Sequence, residues 1–324
     1  MEAVNLSWEW HMRWGSAAVL LLLVFWYGRG WLHGRATIIH SPQPVRPVLF
    51  GIGLFLLALV WLSPLYFLAT QLFAARAMQR ILLIGLIPFF LLLSNPVPVL
   101  FAGLPVRVQN EMRGWEYGRP RFWQFLHSAT KPSVIWVLFV SVVWLWYDPQ
   151  LHDLTLRYDA LHQVETAVLL LAALLYWWHI LAVAPLLHTP MHPVIRILYA
   201  VIGSGPVKFV GFVLLFSAQP VYNYPAAIQF DGLHVSDQGL AGILIWTVGG
   251  VVYTWTAVYL TRQWIGLDDD KPYLPHTYWS NKEAMLAPGF GANKNSTPMK
   301  NMNSNGRAPR PQPTLQEQQA HDTI

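Results

Sequence analysis

Seven stretches of this chain are each close to the length of a bilayer-crossing helix and almost entirely apolar. Such a stretch has few folds open to it, because an α-helix of about 20 apolar residues matches the hydrocarbon thickness of a membrane. The sequence predicts spans at about 16–33, 47–66, 69–94, 132–148, 160–185, 194–218 and 239–264. The predicted fold class is therefore all-α, a polytopic membrane helix bundle with seven transmembrane helices. Pro88 predicts a kink or a tilt in the third span.

The composition supports this fold class and limits the kinds of metal site that the chain can form. Hydrophobic residues make up 54% of the 324 residues and charged residues only 11%, a balance that ordinary soluble domains do not have. The chain contains no cysteine, which excludes disulfides, iron–sulfur clusters and thiolate metal sites. Any metal would have to bind histidine, methionine or carboxylate groups.

The basic residues between the spans are distributed unevenly. The loops after the first and third spans hold Arg29, Arg35, Arg46, Arg107, Arg113, Arg119, Arg121 and Lys131, and Arg196, Arg262 and Lys271 follow the fifth and seventh spans. The alternate loops hold only Arg157. This is the positive-inside pattern, and it predicts an outer N-terminus and an inner C-terminus. The predicted organisation is a short extracytoplasmic N-terminus (1–15), a seven-span membrane domain (16–266) and a disordered cytoplasmic tail (267–324).

Ionisable residues inside the spans are the strongest functional signal. Arg76 and Arg80 lie one helical turn apart in the stretch FAARAMQR, and depth estimates place Lys208, His162 and Glu165 in or near the same outer half of the membrane. A charge at the bilayer centre costs about 2.5–3.5 kcal/mol on insertion scales, so such groups find partners. One interpretation is a site for an anion, a partner's carboxylate or a haem propionate. The other is that the cations pair with Glu165 as internal struts.

No Ser-His-Asp or paired-carboxylate pattern is present, so the chain is not predicted to be an enzyme. The basic residues are interpreted as topology determinants, and membrane lipid rather than nucleic acid is the expected contact. The pair His188 and His192 is broken by Pro190 and Pro193, and is interpreted as a loop or capping feature.

Four local patterns resemble one family of membrane proteins. They are LSPLYFLATQLFAARAMQRILLIGLIPFFLLLSNPVPV around the third span, LHQVETAVLLLAALLYWW in the fifth, LLFSAQPVYNY at the end of the sixth and DQGLAGILIWTVGG in the seventh. In order and spacing these are similar to the CtaG family. Those seven-span proteins assist assembly of caa3-type haem-copper cytochrome c oxidases and are associated with copper delivery to them. The resemblance runs from Ser63 to Trp264.

The resemblance implies an assembly factor or accessory subunit of a haem-copper oxidase, multi-pass in the bacterial inner membrane. Its partners would be oxidase subunits or another respiratory complex, and its cofactor copper. By this resemblance, Arg76 and Arg80 stand at positions where the family has two histidines. Thr166 and Leu145 stand at positions of two further family histidines. His162 is therefore the remaining candidate metal ligand. A guanidinium cannot coordinate a metal, so these departures argue against copper binding in the family's manner.

The resulting hypothesis is a polar pocket facing the outer side, built by the third, fifth and sixth spans, which engages an acidic element of the oxidase or its cofactor. Its candidate residues are Arg76, Arg80, His162, Glu165 and Lys208. Two alternatives stay open at this point. A transporter of a small anionic solute would use the same cations, and a purely structural subunit of a respiratory complex would use them as struts.

Overall fold

The computed structural model describes residues 13–34, 45–118, 120–217, 219–222, 224, 229–230 and 235–269. The chain divides into two units, Met1–Asp269 and Asp270–Ile324. The second unit lies outside the described residues, so the prediction of a disordered tail stays a prediction. The same applies to most of the predicted N-terminal segment.

The described part of the chain is almost entirely helical. Its helices are α1 (Trp14–Gly34), α2 (Val45–Leu62), α3 (Leu65–Gln71), α4 (Phe73–Ile81), a π-helix (Leu82–Leu86), α5 (Ile87–Leu93), α6 (Pro96–Gly103), α7 (Val106–Gly118), α8 (Pro120–Ala129), α9 (Pro132–Trp146), α10 (Pro149–Arg157), α11 (Asp159–Leu181), α12 (Pro193–Phe216) and α13 (Asp237–Asp269). Two short strands, β1 (Gln229–Phe230) and β2 (Val235–Ser236), pair antiparallel just before α13.

Among the described residues, six helical segments are long and apolar enough to cross a membrane. They are Trp14–Leu32, Val45–Leu62, Phe73–Leu93, Asp159–Leu181, Pro193–Phe216 and Asp237–Gly266. A seventh candidate is the pair Arg121–Ala129 and Pro132–Trp146, which is bent by 61° and counts as a span only when taken together. The predicted polytopic helical bundle is therefore confirmed, with six spans or seven. Its orientation in the membrane stays a prediction.

The two ends of the bundle differ in charge. Contacts between Arg13 and Asp159 and between Phe73 and Asp237 place the starts of α1, α4, α11 and α13 at one end, which we call the acidic end. Arg196 donates to the carbonyl of Ile180 at the opposite end, where α12 begins and α11 finishes; we call this the basic end. The positive-inside rule predicts that the acidic end faces outward.

The third span differs from its prediction at its start. A continuous helix over 69–94 is predicted, but the backbone of Leu72 is extended, with φ −126° and ψ 130°, and the span begins at Phe73. A side chain distant in sequence compensates for this break. The carboxylate of Asp237 accepts hydrogen bonds from the backbone N–H groups of Phe73, at 2.6 Å, and Ala74, at 3.0 Å. These two N–H groups are among those that a helix start leaves without a partner.

Pro88 is accompanied by a π-helix in the same span, whereas the predicted kink or tilt stays a prediction. Proline has no backbone N–H, so the carbonyl of Ile84, four residues earlier, loses its helical partner. The helix widens into the π-helix before Pro88, and the indole Nε1 of Trp177 donates to the Ile84 carbonyl at 2.7 Å. Trp177 is fully buried, so this bond joins the disturbed turn firmly to α11.

A close contact between α11 and α12 involves Gly203 and Tyr176. Gly203 lies against Tyr176, and a Cβ at position 203 would overlap the tyrosine hydroxyl. That hydroxyl donates to the carbonyls of Tyr199 and Ala200, at 3.1 and 3.2 Å. The absence of a side chain at Gly203 therefore lets α11 and α12 pack closely at this point. No atom lies within 4 Å of the Cβ position of Gly205.

Candidate functional site

The two arginines of FAARAMQR converge on one buried carboxylate. Their spacing of one helical turn puts Arg76 and Arg80 on the same face of α4, toward α11. Arg76 Nη2 is ion-paired with Glu165 Oε2, and Arg80 Nε donates to Glu165 Oε1 at 2.7 Å. The exposed fractions of the three side chains are 0%, 2% and 1%. This buried ion cluster therefore joins the third span to the fifth without contact with solvent.

Neighbouring groups also accept hydrogen bonds from the Nη2 atoms of the two guanidiniums. Arg76 Nη2 donates to Thr155 Oγ1 at 2.6 Å, and Arg80 Nη2 donates to the carbonyl of Trp146, also at 2.6 Å. The Tyr147 ring lies 4.5 Å from the Arg80 guanidinium carbon, which adds a cation–π contact. Two guanidiniums face one carboxylate, so one positive charge is offset only by dipoles and aromatic faces.

His152 belongs to the same cluster, although it lies on α10 outside the spans. Its Nδ1 is 3.0 Å from Arg80 Nη2, and its Nε2 is 2.7 Å from the hydroxyl of Tyr224. Arginine can only donate, so Nδ1 accepts and the proton lies on Nε2. Burial, together with the charges of Arg80 and Arg76, holds the pKa of His152 far below its ordinary value. The ring is therefore neutral, and its lone pair is already used by Arg80.

His162 on α11 has a different environment. Gln79 donates to the carbonyl of Val60 at 3.5 Å, which orients its Oε1 toward His162 Nε2 at 3.0 Å. The proton of the imidazole is therefore on Nε2. The ring stacks on Tyr66 with 4.0 Å between centroids. Its Nδ1 is buried and has no hydrogen-bond partner among the described residues, so one lone pair is left free.

A cavity of about 550 Å³ opens at the acidic end beside this cluster. Its lining includes His162, Thr155, Tyr66 and the Arg13–Asp159 ion pair, whose atoms are 2.5 Å apart. The walls thus come from α2, α3, α10, α11 and the start of α1. This differs from the predicted pocket between the third, fifth and sixth spans, because no residue of α12 lines the cavity. Arg76 and Arg80 do not line it either, since both are sealed inside the bundle.

Lys208 is separated from the other four predicted site residues. It lies on α12 at the contact with α13, and its Nζ is 3.9 Å from the position that a Cβ of Gly250 would take. The prediction that it shares a pocket with Arg76 and Arg80 is wrong. The prediction used the depth of each residue along its helix, but depth does not determine which face of a helix a side chain occupies.

The residues of this site do not fit a copper ion. His152 has no free lone pair, His162 offers one, and the nearest charged neighbours are guanidiniums that repel a cation. Across the part of the chain that the structure describes, no group of three His, Asp or Glu side chains is placed to hold a metal. His192 caps the start of α12, where its Nδ1 accepts from the N–H of Val194 at 3.4 Å, as its interpretation as a capping feature predicts.

Sequence reasoning missed several members of the cluster. Thr155, Gln79 and the tyrosine pair Tyr222 and Tyr224 carry no signal of their own, because a buried hydrogen-bond partner is defined by its position in space. Tyr222 donates to the carbonyl of Tyr147 at 2.6 Å and packs on His152 at 4.5 Å between ring centroids.

Together, the fold and the site define a polytopic helical membrane protein in which two buried arginines, Arg76 and Arg80, share Glu165 inside the bundle. Comparison with known proteins gives the family. A family model described as cytochrome c oxidase caa3 assembly factor (Caa3_CtaG) matches residues 25–266, and the chain belongs to that family. The match confirms the resemblance and extends it toward the N-terminus. No curated protein and no solved structure matches the chain.

Proposed function

We propose that this chain assists assembly of a caa3-type haem-copper cytochrome c oxidase as a multi-pass protein of the bacterial inner membrane. The observation that carries the proposal is the extent of the family match. Residues 25–266 include the second half of α1 and every later candidate span, so the match covers most of the bundle rather than one motif. The role is that of an assembly factor or accessory subunit and not of a catalyst.

In this proposal the protein acts as a scaffold for the oxidase and does not carry copper. The buried ion cluster supports this role, because Arg76 and Arg80 occupy positions where the resemblance implies histidines and because both pair with Glu165. The same burial argues against transport of an anion by these two arginines. A solute would have to displace Glu165 from a cluster that is 0–2% exposed, and the desolvated charges would be left unpaired meanwhile.

Deletion of the gene tests the assembly role directly. The amount of assembled caa3-type oxidase is expected to fall, as measured by haem difference spectra of membranes and by native gel electrophoresis. Succinate dehydrogenase activity in the same membranes serves as the control and is expected to stay unchanged. Recovery of the oxidase by the wild-type chain expressed in trans completes the test. Unchanged oxidase after deletion would contradict the proposal.

Purification of the tagged chain from native membranes distinguishes an accessory subunit of the oxidase from an assembly factor. Oxidase subunits recovered in stoichiometric amount would identify an accessory subunit. Recovery in small amount, and only while new oxidase is being made, would identify an assembly factor. Failure to recover any oxidase subunit in either condition would favour the transporter alternative.

Copper binding gives a separate expected result. The purified chain, incubated with Cu(I) and then desalted, is expected to retain far less than a stoichiometric amount of copper by mass spectrometry of the metal. His162→Ala is expected to leave that small amount unchanged, because one imidazole lone pair beside guanidiniums is a poor site for a cation. Stoichiometric copper that is lost in His162→Ala would show that the site does bind the metal.

A further inference from the structure

Lys208 is a basic residue inside a span, and the part of the chain that the structure describes offers it no counter-charge. The side chain is partly buried at the contact between α12 and α13. Within the described ranges, none of the ion pairs or hydrogen bonds includes its ammonium group. The other two cations of the predicted pocket each reach Glu165, and Lys208 does not. An intramembrane ionisable residue without a partner in its own chain points to a partner from outside.

The ammonium group lies too deep to reach the membrane surface. Lys208 is about 12 Å along α12 from Phe216 at the acidic end, and side chains on a helix point toward its N-terminus, here away from that end. Its Nζ accordingly lies beside Gly250. Gly250 is about 20 Å along α13 from Asp237, close to the middle of a hydrocarbon core about 30 Å thick. Snorkelling therefore does not solvate this charge.

The surface around Lys208 leaves room for another helix. No atom lies within 4 Å of the Cβ positions of Gly205, one turn before Lys208, or of Gly249 on α13. The apolar side chains beside this opening, Phe209 and Val251, are 54% and 53% exposed. We call Gly205, Lys208, Gly249 and Gly250 the lysine notch. Small residues at such a place let a second transmembrane helix approach closely.

We propose that the lysine notch docks a transmembrane helix of an oxidase subunit that carries an aspartate or glutamate at mid-membrane depth. This inference rests on the proposed assembly role and names the surface through which it works. A carboxylate is the complement of the ammonium group, and lipid phosphates stay at the interface, about 15 Å from the centre. A helix supplies the carboxylate at the required depth with its own backbone groups already hydrogen-bonded.

A photo-crosslinking experiment tests this docking in the full-length chain in native membranes. Phe212, one turn after Lys208 and 46% exposed, is replaced by p-benzoyl-phenylalanine. The expected product contains a membrane-spanning peptide of an oxidase subunit with an internal Asp or Glu. Its yield is expected to fall by more than about ten-fold in Lys208→Met, because a desolvated charge pair is lost. Lys131→Met, which removes an exposed lysine between α8 and α9, is the matched control and is expected to keep the yield.

Three other results would overturn the inference. They are crosslinks to lipid alone, a crosslinked span without a carboxylate, and a yield that Lys208→Met leaves unchanged. Charge exchange gives a positive test, since Lys208→Asp is expected to lose the crosslink and regain it when the partner's carboxylate is changed to lysine.

Two further measurements distinguish docking at Lys208 from a structural role of this residue and from the assembly role itself. Purified Lys208→Met is expected to be at least as heat-stable as the wild type, because it removes an unpaired charge; a clear loss of stability would assign Lys208 to an internal contact instead. If oxidase assembles normally with Lys208→Met but fails on gene deletion, the docking inference is overturned and the assembly role stands. If deletion itself has no effect, the assembly role is overturned.

Discussion

Glu165→Gln is expected to remove most of the folded protein from the membrane. The substitution leaves two fully buried guanidiniums without a counter-charge, and breaking a buried ion pair on one side costs about 3–5 kcal/mol. That is a large share of the 5–15 kcal/mol by which folded proteins are typically stable. The measurements are the amount of protein in the membrane fraction and the unfolding temperature in detergent. The chain has 17 tryptophans, so intrinsic fluorescence reports unfolding without a label.

Asp159→Asn is the matched control for this experiment. Asp159 also pairs with an arginine, Arg13, but its side chain is 61% exposed. Exposed pairs contribute about 0–1 kcal/mol, so the control is expected to stay close to the wild type. The double variant Glu165→Gln with Arg76→Gln is expected to recover part of the loss, because it leaves only one buried cation. Equal stability of Glu165→Gln and wild type would show that the cluster does not hold the third and fifth spans together.

The apolar runs were sufficient to predict the helices, because a span is a property of about 20 consecutive residues. The start of the third span was predicted wrongly, because it depends on a contact that is distant in sequence. Leu72 breaks the helix, and the new start at Phe73 depends on Asp237, 164 positions away in sequence. No local pattern contains that information. The sequence also predicted a span at 132–148, whereas α9 passes as a span only together with α8.

The candidate site was predictable in part. The one-turn spacing of Arg76 and Arg80 and the need of intramembrane charges for partners pointed to Glu165, which is 89 and 85 positions away from them. The same reasoning placed Lys208 in the pocket wrongly. Sequence gives the depth of a residue along its helix, whereas the rotation of each helix about its axis is set by packing. Lys208 faces α13, and its unpaired charge became informative only when that face was known.

Asp237→Asn tests the other long-range connection, between the seventh span and the third. The carboxylate is only 7% exposed and accepts from two backbone N–H groups at the start of α4. Asparagine can present one oxygen there, so its NH₂ group faces the second N–H and a buried donor is left unpaired. Loss of a buried charged hydrogen bond costs about 1.5–3 kcal/mol. The negative charge that favours a helix N-terminus is lost as well.

Asp148→Asn separates this effect from ordinary helix capping. Asp148 also accepts from two backbone N–H groups, those of Gln150 and Leu151, both at 3.0 Å, but it caps its own helix and is exposed. Asparagine caps about as well as aspartate at such a position, so the control is expected to change the unfolding temperature little. Equal effects of the two substitutions would show that Asp237 acts as a local cap only.

The consequence of Asp237→Asn is expected to reach the buried ion cluster. Phe73, whose N–H is released, packs edge-on against His152 at 5.7 Å between ring centroids, and Arg76 lies one turn further along α4. Fraying at the start of α4 is therefore expected to loosen both His152 and Arg76 in the buried ion cluster. Because the chain has no cysteine, a single cysteine introduced at Ala74 gives a clean reporter. Its labelling by a water-soluble maleimide is expected to be slow in the wild type and fast in Asp237→Asn, and to stay slow in Asp148→Asn.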